Sequence, residues 1–348
     1  MSKSASGLSV QVIVIAALAW ALLSLLFFLI FSTPLPDQGR PEWYGITTYV
    51  LETAAFLGAG LLCLRNWKSP QIVSGRTVWL LIGAGMLSYF VGNLLLGQWE
   101  IGWGQTPNVS PADLFYLLMY VLVGIGMVMA IAARQLNLAP VQWLILLAIA
   151  VAGAAIAYVI YNSGGGTEAA LFSQPAYAQT AAAPEAAAPP EVPTADPVAE
   201  PAPAAEPTPT PSVTTPPEVT PPEAEVTDTG STAPAWVISL DEALVPYADW
   251  VGLFYVVADV LLLLAASALL LAFWGGRFSQ SWRFIAAASI CFFIADMWFL
   301  YATSNIADYQ TGALPEVFWI FSACLFGIGA ALEYDLSSRS RRMSRRRS

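Results

Sequence analysis

The chain has 348 residues, 57% of them hydrophobic and 11% charged, well below the quarter charged of soluble domains, so its main solvent is the hydrocarbon of a bilayer. It contains no histidine, which excludes serine-histidine hydrolysis, histidine phosphorylation and histidine-ligated haem or zinc. The formal charge of -10 is local: 12 acidic and no basic residues lie between Asn162 and Tyr247, and removing them takes the balance from -10 to +2, so the acidity belongs to one loop and not to a nucleic-acid or substrate surface.

A helix needs about 20 apolar residues to cross the hydrocarbon core. Eight segments qualify, at about 9–32, 43–64, 77–97, 112–134, 140–161, 249–274, 281–301 and 316–334. The first follows Lys3, is too long for a signal-peptide core and has no small-residue cleavage site beside it, so it reads as a retained helix. If all eight span, Lys3, Arg65, Lys68, Arg76, Arg134, Arg277, Arg283 and the six C-terminal arginines share one side, with Arg40 alone on the other. The positive-inside rule makes that side the cytoplasm of a bacterial inner membrane, with both termini in it and residues 162–247 outside.

Between the fifth and sixth segments, Ser163 to Pro234 holds 16 of the 25 prolines, with Ala, Thr and Glu making up most of the rest. Such a composition builds no core and predicts a disordered extracytoplasmic tether, on the order of 50 Å end to end if coil-like. Ala176-Tyr177-Ala178 has the form of a leader-peptidase site but lies far from the apolar run. The organisation expected is helices 1 to 4 plus helix 5 over 1–161, a linker over 162–235, helices 6 to 8 over 236–334 and an arginine-rich cytoplasmic tail over 335–348.

An internal repeat crosses this plan. Trp43-Tyr44-Gly45 with Glu52 is answered 207 residues later by Trp250-Val251-Gly252 with Asp259, and Asn93, Asp113, Phe115, Gly124 and Gly126 are answered at an offset of 203 by Asp296, Glu316, Phe318, Gly327 and Gly329. The displacement is four helices, an even number, so the two copies run in the same sense. The fold class expected is therefore an all-α integral membrane protein of about eight helices in a parallel 4+4 repeat.

The polar residues of the repeat are the candidate ligand-binding set. Glu52 and Asp259 fall near mid-membrane, where an ionisable group costs about 2.5 to 3.5 kcal/mol on insertion scales; they read as a pair of carboxylates facing the bundle interior, or as separate acids each bonded to a neighbouring helix. Asn93 and Asp296, toward the outer ends of their helices near Phe90 and Phe293, either line an outward-facing pocket or join helices by hydrogen bonds. Asp113 and Glu316 open helices: Ser110-Pro111-Ala112-Asp113 has the order of an N-cap, a first-turn proline and an acid at the helix dipole, and Pro315-Glu316 repeats the start.

The remaining features read as structural. Cys63, Cys291 and Cys324 lie in apolar runs without metal-type spacing, so neither a disulfide nor a metal is expected. Gly85, Ser88 and Gly92, and separately Ala54 and Gly58, form small-residue seams for close helix packing. Trp43, Trp99, Trp103, Trp250 and Tyr301 on one side, with Trp67, Trp79, Trp274 and Trp282 on the other, read as interfacial belts. Arg339, Arg341, Arg342, Arg345, Arg346 and Arg347 form an anchor to anionic inner-leaflet lipids, each contributing about 1 kcal/mol near the surface, or a dock for a cytoplasmic signalling partner. The sequence has no phosphate-binding loop, metalloprotease motif or nucleophile elbow, no lysine inside a helix for a retinal Schiff base, and almost no basic residues in the outer loops to make the outer tryptophans a base-stacking platform. No cofactor and no enzymatic activity are expected.

The run Pro111-Ala112-Asp113-Leu114-Phe115-Tyr116-Leu117-Leu118-Met119-Tyr120, preceded by a polar residue some twenty positions upstream, resembles the multi-spanning regions that precede GGDEF-type diguanylate cyclase domains in some bacteria. The likeness covers helices 2 to 4 and 6 to 8 and implies an input module that senses something in or outside the membrane. The sequence departs from that family in carrying no GGDEF motif after Tyr334 and in its proline-rich insertion. The function expected is a non-enzymatic sensory or ligand-binding module with a polar intramembrane site, signalling to a separate partner. A proton- or cation-coupled transporter and a structural or assembly subunit of an envelope complex stand as alternatives.

Overall fold

A computed structural model of the chain describes residues 9–34, 40–105, 107, 109–133, 139–163, 233–272, 279–306, 309 and 311–345. These residues are 89% helical and contain no strand. The helices are α1 (Val10–Phe31), α2 (Glu42–Lys68), α3 (Arg76–Gly97), α4 (Pro111–Ala132), α5 (Pro140–Ser163), α6 (Ala235–Leu244), α7 (Ala248–Ala272), α8 (Ser279–Asn305) and α9 (Val317–Arg345). Eight candidate spans are long and apolar enough to cross a membrane, α6 being joined to α7 through a single turn. The expected tether falls outside the described residues apart from Ser163, Ala233 and Pro234, as do Arg134, Trp274 and Arg277.

Local chemistry sets the helix ends. Ser9 accepts a bond from the Val12 amide to start α1. Ser110 caps α4, where Pro111 occupies the first turn and Asp113 returns a bond to the Ser110 amide, the reciprocal capping box read from the sequence. α3 starts after Gly75, whose φ of 101° suits a residue without Cβ, and it ends in a π-helical turn over Gln98–Gly102. α9 runs on to Arg345, past the expected end at 334; Asp335 and Arg339 form an i,i+4 ion pair of 2.8 Å along that extension.

In the bundle, α3 lies between α2 and α4, and α8 between α7 and α9. The two sets join where α2 meets α9 and where α4 meets α7. α1 lies on α9 and α2, and α5 lies on α7 and α8. The core includes the fully buried Phe56, Trp79, Ile82, Met86, Met127, Trp282 and Phe326.

Two expectations are corrected by packing. Trp79 and Trp282 do not belong to an interfacial belt: both are fully buried, and their rings meet at 5.6 Å in the core between α3 and α8. Trp99 is buried as well, whereas Trp43 and Trp250 are exposed. The Gly85 and Gly92 seam does place α3 against α4, since a Cβ would lie 2.6 Å from Val123 Cγ2 at the first and 2.7 Å from Tyr116 Cε1 at the second. Gly58 makes no such seam, because a Cβ there would meet nothing within 4 Å.

Candidate functional site

The tight α3–α4 approach brings a ladder of tyrosines to the buried polar residues of α2, α3, α7 and α8. Asp113, Tyr116 and Tyr120 are spaced three and four apart, so they stack on one side of α4. Each side chain meets a different partner.

At the first cluster, Glu52 Oε1 accepts from the Tyr89 hydroxyl at 2.7 Å and from Asn93 Nδ2 at 3.3 Å. The Asn93 amide also donates to Thr53 Oγ1 at 3.3 Å, and its Oδ1 accepts from the Tyr116 hydroxyl at 2.7 Å. Tyr49 donates to the Asn93 carbonyl. With both ends of its amide engaged, Asn93 joins α2, α3 and α4, which is the hydrogen-bonding reading of that residue.

At the second cluster, the Tyr120 hydroxyl lies 2.7 Å from Asp259 Oδ1 and 2.8 Å from Asp296 Oδ2. Asp296 Oδ1 also accepts from Trp319 Nε1 at 2.7 Å. Asp259 is buried. One phenol hydroxyl thus bridges two carboxyl groups, one from α7 and one from α8.

Glu52 and Asp259 do not form one joint pair. The partner of Asp259 is Asp296, and Phe292 stands between the clusters, 5.7 Å from the Tyr89 ring and 5.6 Å from the Tyr120 ring. The structure therefore holds two half-sites divided by an aromatic layer.

Asp113 and Glu316 are capping acids with an added tertiary bond. Asp113 Oδ2 accepts from the Ser110 amide at 2.8 Å, while Oδ1 accepts from the Tyr255 hydroxyl at 2.7 Å. Glu316 accepts from the Gly312 amide at 2.7 Å and from Tyr309. Among the described residues no group of three or more acids or cysteines is arranged to hold a metal ion.

Sequence reasoning missed the hydroxyl donors Tyr89, Tyr116, Tyr120 and Tyr255 and the indole of Trp319. One signal was available, because Tyr116 and Trp319 share the 203-residue offset of the residues they bond, Asn93 and Asp296. It also missed Glu333, fully buried at the opposite end of the bundle, which accepts from Ser74 at 2.7 Å and Ser281 at 2.9 Å. There Trp79 Nε1 donates to Ser74 Oγ at 2.8 Å. Between Glu333 and the two half-sites lies apolar packing around Ile82, Met86, Met127 and Ile285.

Comparison of the chain with family models, with curated protein sequences and with solved structures finds no match.

Proposed function

We propose that this chain is a non-enzymatic multi-pass membrane sensor, built from two parallel copies of a four-helix unit, whose buried carboxyl pair responds to protonation or a small polar ligand and signals to a separate partner. The observation that carries the reading is the position of Tyr120. It belongs to the first unit and supplies one hydroxyl to two acids of the second, so a change of proton count at Asp259 and Asp296 alters the bond that ties α4 to α7 and α8.

Matched contacts support the duplication. Glu52 bonds Asn93 across α2 and α3, and Asp259 and Asp296 meet at the Tyr120 hydroxyl across α7 and α8. Tyr116 then donates to Asn93 as Trp319 donates to Asp296. The pairing of α4 with α7 is answered by the pairing of α9 with α2. In the bacterial inner-membrane topology with both ends cytoplasmic, the half-sites lie toward the outer side, the Glu333 end faces the cytoplasm, and Arg339 to Arg347 lie where anionic lipids or a partner are met. The likeness to regions that precede cyclase domains agrees with an input role.

The test is infrared difference spectroscopy of the full chain in lipid across neutral pH. A protonated-carboxyl band that changes with pH in the wild type and is lost in Asp296→Asn is the expected result. Identical spectra for the two proteins would overturn the reading. A second reading, proton-coupled transport, is favoured by the same carboxyl pair. Solute uptake driven by a pH gradient in proteoliposomes would select it; the apolar layer below the half-sites argues for occlusion from that side.

A further inference from the structure

Six helices close into a ring. α2 lies against α3, α3 against α4, α4 against α7, α7 against α8 and α8 against α9, and α9 returns to α2. Each sends a stripe of side chains inward with the four, three, four, three spacing of one helix face. On α2 the stripe is Glu52, Phe56, Ala59, Cys63 and Asn66. Tyr116, Tyr255, Asp296 and Trp319 stand in the place of Glu52 on the stripes of α4, α7, α8 and α9, and Asn93 does so on α3.

One turn and more behind these positions the interior is sealed. Phe56, Val123, Ala266, Ile285 and Phe326 are all buried and belong to one core cluster. Asn93 is buried too. Glu52, Tyr116, Tyr255, Asp296 and Trp319 are instead part-exposed, although each lies on the same face of its helix as the buried residues behind it. On an inward stripe of a closed ring, such exposure is to space inside the ring. The bundle therefore holds a chamber at this level, and the buried Phe292, one turn behind Asp296, belongs to its floor.

The lining selects a class of guest. The Tyr116 and Tyr255 hydroxyls donate to Asn93 and Asp113, and the Trp319 indole donates to Asp296, so these side chains have only their rings left to offer. Glu52 Oε1 takes the bonds from Tyr89 and Asn93, and among the described residues none donates to Oε2. None of the six stripes carries a lysine or arginine. Acceptors and aromatic rings without a disengaged donor do not hold an anion or a carbonyl group, whereas a carboxylate and a ring quadrupole both attract an ammonium group. A metal ion is not favoured, since no group of three acids or cysteines among the described residues is arranged to hold one.

We propose that the chamber binds an organic cation, an amine or quaternary ammonium group seated between Glu52 and Asp296 with the Tyr116, Tyr255 and Trp319 rings around it. The proposal deepens the sensor reading, on which its role as an input rests. A positive charge beside Asp296 acts on the carboxyl group that shares the Tyr120 hydroxyl, and so on the joint between α4 and the second unit.

The test is equilibrium dialysis of labelled choline against the full chain in a neutral detergent, with 3,3-dimethylbutanol, a neutral molecule of the same shape, as competitor. Choline should bind saturably, and the alcohol should compete at least about tenfold more weakly, the effect of a desolvated cation–π contact. This comparison uses the wild type and needs no variant to fold. Glu52→Gln should weaken choline binding about tenfold or more, while Glu42→Gln, at an exposed position of the same helix, and Tyr255→Phe, which keeps the ring, should not. Displacement of choline by phosphatidylethanolamine and not by phosphatidylglycerol would assign the site to a lipid headgroup; displacement by neither would assign it to a free amine. No saturable binding, equal competition by the alcohol, or displacement by sodium at the same concentration as choline would each overturn the proposal. The infrared band separates the two ideas: absent choline binding with the Asp296-dependent band intact removes the cation site alone, and an absent band with choline still bound removes the sensor reading.

Discussion

Tyr255 of α7 donates its hydroxyl to Asp113 of α4 at 2.7 Å, and one turn farther along α7 the direction reverses, Asp259 receiving Tyr120 of α4 at 2.7 Å. Two reciprocal tyrosine–carboxyl bonds thus cross a single helix pair. A one-residue slip of either helix would break both and strand acids in apolar surroundings, where an unpartnered polar group is costly. The bonds fix register, and any event that alters the Asp259 cluster acts on this fixed point.

The two bonds are unequal in what their loss leaves behind. Tyr255→Phe leaves Asp113 with the Ser110 amide and hydroxyl, so the expected loss of stability is about 0.6 kcal/mol, the usual value for an interhelical bond in a membrane. Tyr120→Phe removes the group that touches both Asp259 and Asp296, and about 1–3 kcal/mol is expected. Unfolding in mild detergent would measure both. Equal losses would show that Tyr120 contributes no more than an ordinary bond.

Gly312 provides a sharp backbone test. Its φ is 94°, and a Cβ would lie 2.5 Å from Tyr44 Cε1, while the Tyr44 hydroxyl donates to the Gly312 carbonyl at 2.6 Å. Gly312→Ala therefore combines left-handed strain, on the order of 1–3 kcal/mol, with displacement of the ring that carries the bond. Gly58→Ala is the control: it meets nothing within 4 Å and removes a glycine from a helix, so it should be neutral or stabilising by up to about 1 kcal/mol. A Gly312→Ala protein as stable as wild type would remove the role given to this turn.

Alkaline pH tests the loop before α9. Burial first, and then the neighbouring Glu316 carboxylate, push the Tyr309 hydroxyl well above the usual phenol range. A raised folded value means that the neutral phenol is favoured in the folded state. Its contribution is then complete below about pH 10, the unfolded value, and declines as pH climbs toward the folded one. The stability gap between wild type and Tyr309→Phe should be constant up to that pH and narrow above it. A gap that closes on acidification would assign the titration elsewhere.

The spans were legible because 20-residue apolar runs are a strong signal, and Ser110-Pro111-Ala112-Asp113 was legible as a cap because capping is local in sequence. The pairing of the acids was not. Glu52 and Asp259 stand at matching positions of two similar stretches of sequence, which invites a joint site, but matching positions say nothing about distance, and the Phe292 ring lies between their tyrosine partners. Trp79 and Trp282 were misplaced for a related reason: tryptophan near a helix end is usually interfacial, and only the packing of the bundle, where the two rings meet at 5.6 Å, turns these two inward. The tyrosines escaped notice since an aromatic residue in an apolar helix carries no mark of where its hydroxyl points.

The final prediction separates one carboxyl site from two. Asp259 and Asp296 share the Tyr120 hydroxyl, so amide replacement of either one changes the bond left to the other. Asp259→Asn and Asp296→Asn should be strongly non-additive, with an interaction energy of about 0.5–3 kcal/mol, as expected for groups in one network. Glu52 bonds instead to Tyr89 and Asn93, across the Phe292 layer. Glu52→Gln combined with Asp259→Asn should add to within about 0.5 kcal/mol, the behaviour of sites that share no partner. Thermal unfolding of the six proteins, wild type, three single and two double replacements, supplies both cycles from one measurement. Coupling between Glu52 and Asp259 as large as that between Asp259 and Asp296 would mean that the aromatic layer does not insulate the clusters, and the two half-sites would have to be treated as one.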